Sequence, residues 1–262
     1  MHGPGHLTSI HPTAVIDPTA ELDTGVEIGP YTVIGPRVRI GADTRIGPHV
    51  VIRGPTRMGS GNRIFQFASV GEDPQDKKYS GEETFLEIGD GNVIREYATL
   101  HRGTVQDTAL TRIGSGNLFM AYTHVAHDCR VGDKVIMANA ASLAGHVEVQ
   151  DWAILGGFTI VHQFCRVGAH CFCAMGSVVT KDVPPYVIIG GHPAEPRGIN
   201  AEGLRRRDVE AATIQQLKSA YRMLYMSNRK LEAAVAAMRA LGNARVNQIA
   251  DFVADRSRSI VR

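Results

Sequence analysis

Ile28-Gly29-Pro30-Tyr31-Thr32-Val33-Ile34-Gly35-Pro36-Arg37-Val38-Arg39-Ile40-Gly41-Ala42-Asp43-Thr44-Arg45-Ile46-Gly47 places an isoleucine-glycine pair at every sixth residue. Backward from Ile28 the same step meets Leu22, Ile16 and Ile10, and forward from Ile46 it meets Ile52, Met58, Ile64 and Val70. A polar interruption near 73–85 leaves the phase intact, and the series returns at Ile88, Ile94 and Leu100. A second interruption, near 105–112, moves the phase by one residue. The series then runs through Ile113, Phe119, Val125, Val131, Met137, Leu143, Val149, Leu155, Val161, Val167, Cys173 and Val179. An α-helix requires apolar spacings of three and four, and a simple strand requires two. A period of six with Gly, Pro and Asx between is therefore a repeat architecture.

This pattern resembles the hexapeptide-repeat transferases, in which three hexads make one triangular coil with the apolar residue pointing inward. The resemblance implies a left-handed parallel β-helix; the general preference for right-handed crossovers would give the opposite hand. The expected organisation is mainly β, with the β-helix over residues 1–190 and an α-helical C-terminal domain over 191–262. The interruptions near 73–85 and 105–112 become loops thrown outward, where function tends to sit, although a charged stretch such as Glu72-Asp73-Pro74-Gln75-Asp76-Lys77-Lys78-Tyr79 can also be mere solvated surface. After Val179 the pattern breaks at Asp182-Val183-Pro184-Pro185 and again at Gly190-Gly191-His192-Pro193. Beyond these, Ile214, Leu217, Tyr221 and Leu224 fall at helix spacing, as do Leu231, Val235 and Met238, and then Ile249, Phe252 and Val253. Each stripe must be buried on the coil or on a neighbouring subunit.

Composition agrees with a narrow core. Aromatic residues are only 6% of the 262 while glycine reaches 28, a balance that suits small branched side chains in the interior. The net charge of +2 argues against a general nucleic-acid binder. Residues 200–262, however, hold 12 Lys+Arg against 6 Asp+Glu, so this end is basic and the remainder acidic. A basic terminal module implies an anionic partner. The start, Met1-His2-Gly3-Pro4, lacks the basic and apolar regions of a secretory leader, and no run of 18 apolar residues exists to span a membrane. Cys129, Cys165, Cys171 and Cys173 are too few for a disulfide framework, so reduced thiols and a cytoplasmic location are expected.

The coil repeat also groups the histidines. Eighteen residues per coil stack His127, Gly145 and Gln163 in one file and Asp128, His146 and Phe164 in the next, with His162 adjoining. Successive rungs of a sheet lie ~4.8 Å apart. His101 and His124 belong to a neighbouring face at a similar level. A lone histidine is more often structural than catalytic, but the coil interior has no room for imidazoles, so this group must face solvent or a partner subunit. Two chemistries use such a cluster. Zinc needs three neutral imidazoles at ~2.0–2.1 Å with an open position for water, as hexapeptide-repeat carbonic anhydrases achieve between subunits. Acyl transfer needs one imidazole to deprotonate a hydroxyl, a carboxylate to set its tautomer and a backbone N–H for the oxyanion.

The local words are more specific. Ile64-Phe65-Gln66-Phe67-Ala68-Ser69-Val70-Gly71-Glu72, His101-Arg102-Gly103-Thr104-Val105-Gln106, His124-Val125-Ala126-His127-Asp128-Cys129, Leu143-Ala144-Gly145-His146-Val147, Val161-His162-Gln163-Phe164-Cys165 and the stretch Asn200 through Arg207 resemble the UDP-N-acetylglucosamine acyltransferases that begin lipid A synthesis. The resemblance spans essentially the whole chain. It implies a cytoplasmic homotrimer with three sites between subunits and neither cofactor nor metal. The reaction it implies moves an R-3-hydroxyacyl group from acyl carrier protein to the 3-hydroxyl of UDP-N-acetylglucosamine. Carried over by motif, His127 is the general base, Asp128 its orienting partner and the Gly145 amide the oxyanion donor. Asp76, Lys78, His101, His124, His146, His162 and Gln163 line the substrate groove. Asn200, Glu202 and Arg206 hold the nucleotide end, an arginine being apt for a diphosphate. The acidic carrier protein gives the basic residues Arg205, Arg206, Arg207, Lys218 and Arg222 a partner.

One departure stands out. Where long-chain members of the family carry glycine as the acyl-chain ruler, this sequence has Met175, which implies a shorter chain, near ten carbons; outside the family the same methionine reads as gap filling. Three other readings remain beside this one. A carbonic anhydrase requires neither the first loop nor the basic tail. A sister UDP-3-amino-sugar N-acyltransferase carries an extra N-terminal domain, whereas the repeats here begin by Ile10. A non-catalytic trimeric spacer leaves the histidines unexplained.

Overall fold

The computed structural model describes residues 8–255 and 258–262; the start read for a leader, Met1–Pro4, lies outside them. From Ser9 to Val179 the chain alternates strands of two to four residues with tight turns, and every residue of the six-step series lies in its own strand. Up to Ile160–Val161 each strand pairs in parallel with the third one after it, so Val33 lies opposite Val51, His124 opposite Ser142 and Ser142 opposite Ile160. The result is a three-sided left-handed coil whose flat faces are sheets of eleven, nine and eight strands. From Ile28 onward the six-step residues are all at most 4% exposed. Ile10, Ile16 and Leu22 are less covered, because the first described coil has a neighbour on one side only.

The register explains the phase seen in the sequence. Ordinary partners are 18 residues apart, but Arg63 pairs with Val93 and Val93 with Leu118, separations of 30 and 25. The first insertion therefore adds two whole hexads and keeps the phase, whereas the second adds seven residues and shifts it by one. The coil height is carried across both by an internal asparagine ladder. Asn62 Oδ1 accepts from the Asn92 amide at 2.8 Å, Asn92 Oδ1 from the Asn117 amide at 2.9 Å, and Asn117 Oδ1 from the Val135 amide at 2.6 Å. At the corners the backbone turns through the left-handed region even at non-glycine residues, including Asp128 (φ 58°), His146 (φ 63°) and Phe164 (φ 64°).

Past the coil, strands Val187–Gly190 and Glu195–Ile199 form the one antiparallel pair among the described residues. Four helices follow: α1 (Ala201–Arg205), α2 (Ala211–Tyr225), α3 (Leu231–Arg239) and α4 (Ala244–Ala254). Ile214, Leu217, Leu224, Met238, Ile249, Phe252 and Val253 are buried, and Tyr221, Leu231 and Val235 pack half-buried beside them. The stripes thus cover one another and the coil end. Arg166 fastens α4 to the coil: its guanidinium donates to Asp182 at 2.7 Å and Asp255 at 2.6 Å, and lies 4.5 Å over the Phe252 ring. No helix among the described residues is long and apolar enough to cross a membrane.

All four cysteines are buried in the coil, and burial pushes the Cys129 thiol up to about 12 and Cys165 up to about 11. Since the thiolate is the reactive form, a maleimide is expected to label none of them in the native protein and all four after denaturation, scored by intact mass.

Candidate active site

Asp128 occupies a corner between two coil faces, and its left-handed turn folds the carboxylate back under the preceding histidine. His127 Nδ1 donates to Asp128 Oδ2 at 2.8 Å. The carboxylate is fully buried, while the imidazole keeps 14% of its surface exposed. Thr104, from the second insertion, completes the support: its amide donates to Oδ1 at 2.9 Å and its hydroxyl to Oδ2 at 2.6 Å. The Asp128 amide in turn donates to Thr111 Oγ1 at 2.8 Å. Burial alone would push this carboxyl up. The hydrogen bonds from His127 and Thr104, with the nearby charge of His146, outweigh it and hold Asp128 below the ordinary carboxylate value.

The next coil brings Gly145 over the imidazole. A Cβ at this position would lie 2.5 Å from His127 Cε1 and 2.7 Å from Nε2, so only glycine leaves the ring where it is. Among the described residues, nothing accepts a hydrogen bond from the Gly145 amide. His146 meets His127 edge-on with ring centroids 5.1 Å apart and lies flat on Phe164 at 4.4 Å. The cluster sits at a corner of the coil, not on a flat face, because the left-handed turn residues carry it there.

His124 and His101 lie on the sheet that leads to this corner, edge-on to each other at 5.2 Å. Thr99 Oγ1 and His124 Nδ1 share a hydrogen bond of 2.7 Å. The expectation that every imidazole faces solvent or a partner needs correcting for His101. It is buried within the single chain, 3% exposed, with no hydrogen-bond partner on Nδ1. Burial first, and the charge of His124 second, push it down to about 4, so it is neutral at physiological pH.

The remaining sequence candidates are spread out. His162 and Gln163 sit one coil further on, where the Gln163 carbonyl accepts from His162 Nδ1 at 3.2 Å and from Arg258 at 3.0 Å. Asp76 and Lys78 are in the first insertion, the Asp76 carboxylate accepting from the Lys78 amide at 2.9 Å. That insertion is anchored by Arg102, which donates to the carbonyls of Gly54 at 3.0 Å and Gly71 at 2.6 Å, to Tyr79 at 3.1 Å and to Asp73. Asn200 is 5% exposed and is used within the chain. It caps α1 by accepting from Gly203 at 3.1 Å and donates to the His170 carbonyl at 2.9 Å. Glu202 on α1 and Arg206 at its C-cap are exposed and paired at 3.2 Å. Met175 is 83% exposed at the corner on the other edge of the sheet that carries His124.

The sequence reading missed Thr104 as a partner of Asp128. It lies inside the quoted His101–Gln106 stretch, but nothing periodic announces where an insertion folds back. Thr104→Val keeps the amide bond and removes the hydroxyl donor, which is expected to cost ~1–3 kcal/mol at neutral pH. Asp128's folded value is depressed, so its stabilising contribution is present above the ordinary carboxylate range and lost as pH falls through the depressed value. Urea unfolding of parent and variant should therefore show a gap that is widest near neutrality and closes in acid.

His127, Asp128 and His146 also offer ligand atoms within 4.8 Å of one another. Within this chain that is two imidazoles, not the three that the zinc reading expects, and both carboxylate oxygens already accept hydrogen bonds.

A family model described as "Udp N-acetylglucosamine O-acyltransferase; Domain 2" matches residues 182–261. An acyl-[acyl-carrier-protein]–UDP-N-acetylglucosamine O-acyltransferase of Alkalilimnicola ehrlichii is 57% identical, over 98% of this chain and 100% of the relative. The solved structure of LpxA from Acinetobacter baumannii is 49% identical and superposes with a TM-score of 0.94 over 97% of this chain and 99% of that one. The UDP-N-acetylglucosamine O-acyltransferase (LpxA) of Moraxella catarrhalis gives 44% identity and the same TM-score, 0.94, over 97% and 99%.

Proposed function

The chain belongs to the UDP-N-acetylglucosamine O-acyltransferases, and from that membership we propose that it moves an R-3-hydroxyacyl group from acyl carrier protein to the 3-hydroxyl of UDP-N-acetylglucosamine, a step of lipid A synthesis. The observation that carries the mechanism is the relay Thr104–Asp128–His127 beneath Gly145. With Nδ1–H committed to Asp128, the lone pair of His127 is on Nε2, where it takes the proton of the sugar hydroxyl as that oxygen attacks the thioester. Asp128 stays ionised and stabilises the imidazolium that forms. The Gly145 amide, with no acceptor among the described residues, donates to the oxyanion of the tetrahedral intermediate. Collapse of that intermediate expels the carrier thiolate, to which the imidazolium returns the proton. His124, His146, His162 and Gln163 form the groove wall, with His101 neutral behind it. The decisive assay is turnover of the purified protein with UDP-N-acetylglucosamine and a set of hydroxyacyl carrier proteins.

The active unit in this reading is a cytoplasmic homotrimer with sites between subunits. Two observations support it. Among the described residues, no hydrogen bond or ion pair links Asp76, Lys78, Glu202 or Arg206 to His127. Phe158, Ile160, Phe164 and Met175 leave large apolar surface exposed around the sheet that leads to the catalytic corner. The basic helices are the docking surface for the acidic carrier, and Asn200 acts by fixing α1 so that Glu202 and Arg206 meet the nucleotide.

Met175, three rungs along that sheet from His124 and therefore ~14 Å away in coil height, closes the far end of the acyl groove and favours a chain near ten carbons. Met175→Gly is expected to move the preferred donor toward fourteen carbons without changing KM for the sugar nucleotide. A parent enzyme that already prefers fourteen carbons refutes the ruler role. Zinc hydration chemistry is separated by elemental analysis of the purified protein, and an amino acceptor by offering the 3-amino sugar nucleotide in competition.

A further inference from the structure

The second insertion brings Thr104 and Asp107 to the catalytic corner, and only Thr104 enters the mechanism above. The other is Asp107. Its Oδ2 accepts from His146 Nδ1 at 3.1 Å, and its Oδ1 lies 3.9 Å from the Arg130 guanidinium. A local turn fixes the two residues relative to each other, because the amides of Asp107 and Ala109 both donate to the Thr104 carbonyl, at 3.2 and 3.0 Å. The insertion can close down this far because residue 103 is glycine: a Cβ there would lie 2.2 Å from the Leu110 amide nitrogen.

His146 needs such a partner. Its stack on Phe164, with planes 9° apart, fixes the plane of the ring but not which nitrogen points where, since the terminal torsion of histidine is roughly two-fold. A carboxylate can only accept. Asp107 therefore selects the orientation with Nδ1–H outward, and Nε2 then faces inward, 3.9 Å from Asp128 Oδ2 and beside the His127 ring.

Resting on the acyl-transfer reading, we propose that Asp107 is a positioning residue for His146. By holding Nδ1 it presents Nε2 to the reacting groups, and the insertion becomes a two-point brace, Thr104 on Asp128 and Asp107 on His146. The effect of Asp107 passes through the imidazole, so it disappears when that imidazole is absent.

The test is a kinetic double-mutant cycle on the full-length protein, with UDP-N-acetylglucosamine and a hydroxyacyl carrier protein as substrates. Asp107→Ala is expected to lower kcat/KM on the order of 10-fold, and to lower it less than about 2-fold when added to His146→Ala. Asp107→Asn keeps an acceptor oxygen and is expected to stay within about 3-fold of the parent. Equal losses from Asp107→Ala in both backgrounds would mean a purely structural role and overturn the proposal. An asparagine variant as damaged as the alanine one also overturns it. Should Asp107→Ala fail to fold, Asp107→Ser, too short to hold Nδ1, takes its place in the same cycle. The expected ~10²–10⁴-fold loss in His127→Ala alongside an additive cycle refutes this inference alone; absence of turnover in the parent overturns the acyl-transfer reading and this inference with it.

Discussion

Replacing His127 with alanine is expected to lower acyl transfer by ~10²–10⁴-fold, the usual value of a single general base. The protein should remain folded. His127 is a corner residue outside the inward-pointing files, and the coil interior is unchanged by its loss. What the variant leaves behind is Asp128, still held by the Thr104 amide and hydroxyl at 2.9 and 2.6 Å. Losing the bond to Asp128 is expected to cost ~1–3 kcal/mol, as for Thr104→Val, so both proteins should be folded without urea while their single-turnover rates differ by orders of magnitude. Retention of activity within tenfold would remove His127 from the base role.

Gly145→Ala has the second largest expected effect, ~10²-fold, and it arises from one methyl group. That methyl would sit 2.5 Å from the imidazole, closer than any packed carbon contact, so the ring must swing away. Doing so breaks or lengthens the 2.8 Å bond to Asp128 and misplaces Nε2. A displacement of ~1 Å at a reacting group costs about two orders of magnitude. The amide itself survives in alanine, so the loss reports the position of His127 and not the oxyanion donor. The check is the double variant with His127→Ala, in which the added methyl should cost almost nothing. If it still costs 100-fold there, Gly145 serves some other purpose.

These two residues differ in how far the sequence could carry them. His127 and Gly145 fall in one file of the repeat, so their stacking follows from counting eighteen. That the glycine lies against the ring, instead of merely above it, depends on the turn geometry and appears only in three dimensions. The helical stripes at Ile214, Leu217 and Leu224 were legible from spacing, whereas the Arg166 clamp to Asp182 and Asp255 was not, because its members are far apart in sequence and belong to no pattern. The burial of His101 was likewise missed: its file faces outward in an uninterrupted coil, but it adjoins the insertion that breaks the repeat.

The period of six determines the coil, its core and its register, since each hexad repeats the same local choice of inward apolar residue and corner turn, and eighteen residues return the chain to the same face. Even the two insertions leave their lengths in the phase, twelve residues that preserve it and seven that shift it by one. What only the tertiary structure decides is where those aperiodic insertions come back down. Nothing local requires Thr104 to meet Asp128, Asp107 to meet His146 or Arg102 to anchor the first loop; each is a long-range contact made by chain that has left the repeat. The coil is thus readable from the sequence because it is local and periodic, and the bracing of its catalytic corner is not, because it is neither.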